Sequence, residues 1–258
     1  DGKGIQGPDF HHDGQNFAKA FDITFMDEKG KKDYVWQNTW AISTRMLGVL
    51  FAVHGDDKGL VLPPRLASKQ VVIVPIIFED SKKAVMKEVE TMVAGLRKIG
   101  VSCHIDDREG YSAGWKFNEW EMKGIPLRIE LGPKDLAKKQ VMIARRDTGE
   151  KKAISITSVE KTVPSLLEDI QTSLFKKAQK FMKSTIVNVA SIKDAEKSIK
   201  EGKIVFAAWC GAPECEENFK DKTGAKSLNS PLKQPKVSGK CFACKDAAKH
   251  WFYFGKSY

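Results

Sequence analysis

Four of the chain's five cysteines stand in its last fifth, as Cys210-x4-Cys215 and, after 25 intervening residues, Cys241-x2-Cys244. Two close pairs joined by a loop are how a chain builds a tetrahedral zinc site from four thiolates. Such a site would tie residues 210–244 to one point and dictate what the end of the chain folds around. With four protein ligands it would be closed, hence structural rather than catalytic. Buried free thiols or two disulfides are the alternatives. No charged-then-apolar leader is visible from Asp1 onward, which favours metal over disulfides. Cys103 stands alone in a predicted buried strand and reads as a small core residue.

The 258 residues amount to one to three domains at ~150 residues each. Apolar runs such as 46–53 and 71–78 are eight residues each, and none approaches the ~18 needed to span a bilayer. This excludes a membrane-spanning helix. The net charge of +10 is uneven: residues 1–67 carry 8 Lys/Arg against 9 Asp/Glu, residues 68–165 carry 18 against 14, and residues 166–258 carry 17 against 10. A basic rear section suits a polyanionic partner, because neutralised phosphates release counterions. A lysine-rich surface kept for solubility fits the composition equally well.

Residues 14–67 read as short strands and turns: Phe21 to Met26, a polar hairpin at 27–32, then Tyr34 to Thr39. A helix through Met46, Leu47, Leu50 and Val53 follows, then a strand-like stretch at Gly59–Leu62 that Pro63-Pro64 ends. From Gln70 the pattern alternates. Val71–Phe78 is a buried strand. Residues 81–99 are helical, with Val85, Val89, Met92, Val93, Leu96 and Ile99 on one stripe and Gly100 as the stop. Then come a strand at 101–106, a helix at 112–123, and three short strands at 126–131, 140–146 and 152–157. This βαβαβββ order predicts a compact α/β domain with a mixed sheet. A long amphipathic helix at 163–183, a helix at 193–200, a strand at 204–209 and an aromatic strand at 251–254 complete the chain. The polar, lysine-rich residues 216–240 read as loop.

Two stretches carry candidate chemistry. In the predicted strand at 126–131, Leu127, Ile129 and Leu131 face one way, so Arg128 and Glu130 share the other. Glu121 ends the preceding helix, and the Gly124–Pro126 turn brings the chain back beside it. A carboxylate and a guanidinium projecting together suit a base edge that offers both donors and acceptors, as guanine does. A surface salt bridge between Glu121 and Arg128 is the plainer reading of these residues alone. Near the front, Arg65 follows two prolines, and a guanidinium on so stiff a backbone suits phosphate oxygens.

These stretches together resemble the prolyl-tRNA synthetases, class II aminoacyl-tRNA synthetases, of the archaeal and eukaryotic type. The resemblance rests on G-Q-N-F-A-K-A-F-D-I (14–23), Q-N-T-W-A-I-S-T-R (37–45) and H-G-D-D-K-G-L-V-L-P-P-R (54–65), the last matching the family's motif 3. It extends through G-W-K-F-N-E-W-E-M-K-G-I-P-L-R-I-E-L-G-P-K-D (114–135), the four cysteines and F-G-K-S-Y (254–258). It implies an α+β and α/β multidomain chain. Residues 1–67 would be the C-terminal part of a class II antiparallel-sheet catalytic domain. Residues 68–162 would be an α/β anticodon-binding domain with a mixed five-stranded sheet. Residues 163–258 would be a small α/β zinc-binding domain.

The resemblance also implies site residues. Gln6, Asp9, Ser43, Arg45 and Arg65 match the ATP site, and His11 matches a position lining the proline pocket. Glu121, Arg128, Lys134 and Asp135 match the face that reads the anticodon, and every proline anticodon has guanine at its second and third positions. Cys210, Cys215, Cys241 and Cys244 match the zinc ligands; no catalytic residue is assigned. The implied reaction is proline–tRNA ligation: ATP with Mg²⁺ activates L-proline to prolyl-adenylate, and prolyl passes to the 3′ end of proline tRNA. A cytoplasmic homodimer is implied as well.

Two departures stand out. Asp9 replaces the family's threonine, placing an anion beside the expected ATP and proline site, and Asp13 replaces a leucine. Motifs 1 and 2 are absent, so the 258 residues are expected to be inactive alone, as the rear half of a longer enzyme. The alternatives are a non-catalytic tRNA anticodon-binding module derived from a synthetase, and a general zinc-containing RNA binder.

Overall fold

A computed structural model describes all residues, Asp1–Tyr258. In chain order the first elements are β1 (Asp9–Gly14), α1 (Asn16–Ala20), β2 (Thr24–Met26), β3 (Lys32–Tyr34), β4 (Gln37–Ala41) and α2 (Arg45–His54). Next come β5 (Val71–Pro75), α3 (Lys82–Lys98), β6 (Cys103–Ile105), α4 (Ala113–Met122), β7 (Leu127–Leu131), α5 (Pro133–Ala137), β8 (Gln140–Arg145), β9 (Lys151–Ser155) and α6 (Val159–Thr185). The last are β10 (Ile186–Asn188), α7 (Ile192–Lys200), β11 (Ile204–Trp209), α8 (Pro213–Thr223), β12 (Lys226–Asn229) and β13 (His250–Gly255). They fall into two compact units, Leu47–Gln179 and Asp1–Met46 with Lys180–Tyr258.

The Leu47–Gln179 unit is built on a five-stranded mixed sheet of order β6-β5-β7-β8-β9. Strand β5 runs parallel to β6 and β7, while β8 and β9 complete an antiparallel meander. Residues Val71, Val72, Ile73 and Val74 are fully buried, as expected for a parallel strand covered on both faces. On one face Val71, Ile73, Leu127, Ile129 and Leu131 meet Val85, Val89 and Leu96 of α3 and Val163, Leu166, Ile170 and Leu174 of α6. On the other, Val72, Val74 and Ile125 meet Phe117 and Trp120 of α4. Each fully buried aliphatic side chain contributes roughly 1.5–3 kcal/mol relative to an exposed one. The sheet therefore anchors α4, which carries Glu121.

This order matches the βαβαβββ expectation, with one short helix, α5, that the polar sequence Pro133-Lys134-Asp135 concealed. The long helix starts earlier than residue 163, and its buried stripe through Leu174 belongs to the five-stranded sheet's core. The stretch Gly59–Leu62 pairs with no sheet strand. Instead Leu60 N and Leu62 N donate to the carbonyls of Met122 and Gly124, at 2.9 and 3.1 Å.

In the other unit a four-stranded sheet, order β10-β11-β13-β12, packs Val205, Ala207 and Phe254 against Ala195 and Ile199 of α7 and Phe219 of α8. The expectation of loop across 216–240 is corrected here: α8 runs to Thr223 and β12 follows. Pro213 opens α8, Glu214 and Glu216 sit in its first turn, Lys220 and Lys222 in its last, and Gly224 closes it at φ +68°. Those are the charges a helix dipole favours and the glycine that a left-handed stop favours. Residues 1–46 form two separate two-stranded sheets, β1-β4 and β2-β3, and Ala18 is their one buried residue.

Candidate anticodon pocket and metal centre

Helix α4 begins at Ser112, whose hydroxyl accepts from Trp115 N at 3.2 Å, a side-chain cap of the usual kind. It ends in the turn at Gly124, whose φ of +74° and closeness to Leu60 (a Cβ would lie 2.6 Å from the Leu60 carbonyl) leave room only for glycine. That turn sets Glu121 beside β7. Glu121 and Arg128 line one pocket with Lys58, Trp120, Ile125 and Arg146, of about 70 Å³. This is well below the ~300–1,000 Å³ that encloses a small molecule, so the pocket suits a projecting edge rather than a whole ligand.

The salt bridge expected between Glu121 and Arg128 is absent. Glu121 Oε1 accepts from Lys58 Nζ at 3.0 Å. Arg128 Nε donates to Glu130 Oε1 at 3.1 Å, and its guanidinium lies 4.3 Å from the Phe117 ring centroid. Glu130 is buried and also holds Lys151 Nζ at 2.5 Å. The physical reason is the strand period: Arg128 and Glu130 share a face and meet directly. Glu121 is thus left facing the pocket with one carboxylate oxygen free of ion pairs, beside a cation stacked on an aromatic ring. A free carboxylate oxygen and spare guanidinium N–H groups are acceptor and donor at once, the pair a guanine edge requires.

Lys134 and Asp135 do not line this pocket. Asp135 instead accepts from Gly132 N at 3.3 Å and Gln140 Nε2 at 3.2 Å, closing the start of α5, and Lys134 is exposed with no ion pair. Lys58 was missed from sequence because it lies 63 residues from Glu121, and no local spacing signals such a pair.

The expected ATP and proline residues fall in both units. Gln6 Nε2 donates to Asp9 Oδ2 at 2.6 Å, and His11 Nε2 lies 3.3 Å from the same oxygen. Asp9 Oδ1 is buried without a hydrogen-bond partner. Gln6 and Arg45 line a cavity of about 1110 Å³ with Tyr253 and Tyr258. Ser43 is exposed, and its carbonyl accepts from Met46 N at 3.1 Å. Arg65 belongs to the Leu47–Gln179 unit, where Glu168 grips its Nη2 at 2.9 and 3.1 Å.

The four cysteines do converge, with all four sulfurs within 4.8 Å of one another. Cys210 follows β11, and Cys215 lies in the first turn of α8. Cys241 and Cys244 flank a tight turn tied to β11 by Phe242 N donating to Ala208 O at 2.9 Å. The pairs Cys215–Cys241 and Cys210–Cys244 stand 3.7 and 3.6 Å apart. A disulfide needs ~2.05 Å, so the disulfide alternative fails. A tetrahedron with Zn–S bonds of ~2.3 Å has edges of ~3.8 Å, which these separations match. Burial alone would raise the Cys241 thiol, but backbone N–H groups of Cys244 and Ala243 bring it down to about 7. Burial pushes Cys215 well above the ordinary thiol range, so a cation is what would let all four ionise together. The donor set fits a closed, structural zinc site.

The family model "Anticodon binding domain" matches residues 70–166, which hold the mixed five-stranded sheet and the helix-to-strand turn between Glu121 and Arg128. The model "Prolyl-tRNA synthetase, C-terminal" matches residues 192–258. Curated relatives match along the whole chain. "Proline--tRNA ligase, cytoplasmic" of Arabidopsis thaliana is 43% identical, with all of this chain and 50% of that protein covered. "Proline--tRNA ligase 2" of a Bacillus cereus strain is 43% identical, with 54% of it covered, and "Proline--tRNA ligase" of Parabacteroides distasonis is 41% identical, with 52% covered. The chain corresponds to a C-terminal portion of the prolyl-tRNA synthetases, and it spans about half the length of the curated relatives it matches. No helix is long and apolar enough to cross a membrane.

Proposed function

We propose that this chain supplies the tRNA-reading part of a proline–tRNA ligase, with Glu121 and Arg128 recognising guanine in the proline anticodon. The observation that carries the reading is that both side chains face one pocket while neither neutralises the other. On this reading residues 1–67 contribute to the catalytic domain, 68–162 read the anticodon, and 163–258 form the domain stapled by zinc. Helix α6 bridges the last boundary.

In the whole enzyme, the carboxylate of L-proline would attack the α-phosphorus of ATP and displace pyrophosphate, and a 3′-terminal hydroxyl of proline tRNA would then take the prolyl group and release AMP. Gln6, Asp9, Ser43 and Arg45 would hold ATP, with His11 beside the proline. Their work is positioning and positive charge on the phosphates. Lys134 and Asp135 would read a second base beyond the Glu121 pocket. A cytoplasmic homodimer is the assembly this reading assigns. Zinc on Cys210, Cys215, Cys241 and Cys244 would supply no chemistry beyond holding the fold.

The test is Arg128→Ala in this chain, titrated with proline anticodon hairpins carrying guanine or another base at each position. The expected result is a loss of ~1–3 kcal/mol of discrimination at one anticodon position. An equal loss against every hairpin would count against the reading.

A further inference from the structure

The family resemblance would put the stretch H-G-D-D-K-G-L-V-L-P-P-R at the nucleotide site, yet residues 56–62 are wired to the pocket that Glu121 and Arg128 line. Asp56 N donates to Gly59 O at 3.1 Å and Gly59 N to Asp56 O at 3.0 Å, closing a tight turn, while Lys58 N donates to Asp56 Oδ1 at 3.0 Å. The Asp56 carboxylate takes the Arg146 guanidinium at 2.8 and 2.5 Å, and Arg146 Nε donates to the Glu121 carbonyl at 2.7 Å. Leu60 N and Leu62 N bond Met122 O and Gly124 O. A Cβ on Gly59 would lie 2.5 Å from Met122 O, so the two backbones touch. From this turn Lys58 Nζ reaches Glu121 Oε1 at 3.0 Å.

Resting on the anticodon reading above, we propose that Lys58 is a positioning residue for base recognition. By holding Oε1 of Glu121, it aims Oε2 at the N1–H and N2–H donors of guanine. Glu121 has no other ion-pair partner, since Glu130 occupies Arg128. A carboxylate in the last turn of a helix, released from this tether, would spread over several rotamers and lose its aim. The tether is exposed, with 63% of the Lys58 side chain accessible, and an ion pair so open adds little to folding. Its role is therefore separable from stability.

The experiment compares the parent chain, Lys58→Gln and Lys58→Arg, binding proline anticodon hairpins with guanine or adenine at the second and third positions. In Lys58→Gln the preference for guanine should fall about three- to tenfold, the size of one lost aligning hydrogen bond. The melting temperature and the salt dependence should match the parent, and Lys58→Arg should restore most of the preference. Undiminished preference in Lys58→Gln overturns the proposal. So does an equal loss for all hairpins with a salt slope lower by ~1, the mark of a lost phosphate contact. If the parent chain itself shows no preference for guanine, the anticodon reading fails, and this proposal fails with it.

Discussion

In an Asp106→Ala variant, the Leu47–Gln179 unit is expected to lose about 3–5 kcal/mol of unfolding free energy, the range for breaking a buried ion pair by removing one partner. Asp106 is fully buried at the end of β6. Its carboxylate accepts from Arg108 Nε and Nη2 at 2.8 Å each and from Trp120 Nε1 at 2.7 Å, and buried Lys116 donates to its carbonyl at 3.1 Å. Trp120 and Lys116 lie on α4, so the carboxylate fastens to the sheet the helix that carries Glu121. Removing it strands the Trp120 N–H in a dry interior and takes away the counter-charge 3.9 Å from the buried Lys116 ammonium, whose bond to the backbone carbonyl stays. Denaturation followed by hydrogen exchange in β5 and β7 measures the loss. A change under ~1 kcal/mol would show that the network is incidental.

The same group sets an acid limit. The Arg108 guanidinium, helped by the Trp120 N–H and opposed by burial, holds the Asp106 carboxyl at about 2, against ~3.9 unfolded. A depressed carboxylate stabilises the fold above the unfolded value and stops doing so as pH falls through the folded one. Roughly 2 kcal/mol should therefore drain away between about pH 4 and pH 2. The Asp106→Ala variant should lack that part of the acid limb.

The second large effect is expected at the cysteines. The chain purified without chelator should carry one zinc, and Cys241→Ser should lose it together with the hydrogen-exchange protection of β11, α8 and β13. Cys241 is fully buried among Phe219, Phe242 and Phe254, whereas Cys244 is exposed. Cys244→Ser should accordingly be the milder change. Structural zinc in small domains contributes ~10–16 kcal/mol of apparent binding free energy that is also folding free energy, so its loss should melt this sheet rather than loosen it. Elemental analysis finding no metal, with the sheet still protected, would show that the thiols are simply core residues.

The α/β order from Val71 to Ser155 was legible because Val71–Val74 is unbroken and β-branched while α3 keeps a clean helical stripe. The cysteine cradle was legible because its spacing is itself the geometry. At the pocket, the sequence brought Glu121 and Arg128 close but misassigned their partners. A two-residue strand spacing made Glu130 the nearer acid for Arg128, while Glu121's partner came from 63 residues away. Helix α8 was hidden by its own polarity: its stripe is weak, and only its end signals, Pro213 and Gly224, mark it. Long-range pairing and surface helices are where local pattern carries least information.

The central claim is that Glu121 and Arg128 grip guanine. Competition binding of the intact chain to two proline anticodon hairpins differing only at the second anticodon base, at fixed salt, addresses it directly. Exchanging that guanine for adenine is expected to weaken binding by ~1–3 kcal/mol. Equal affinity for the two hairpins would contradict it.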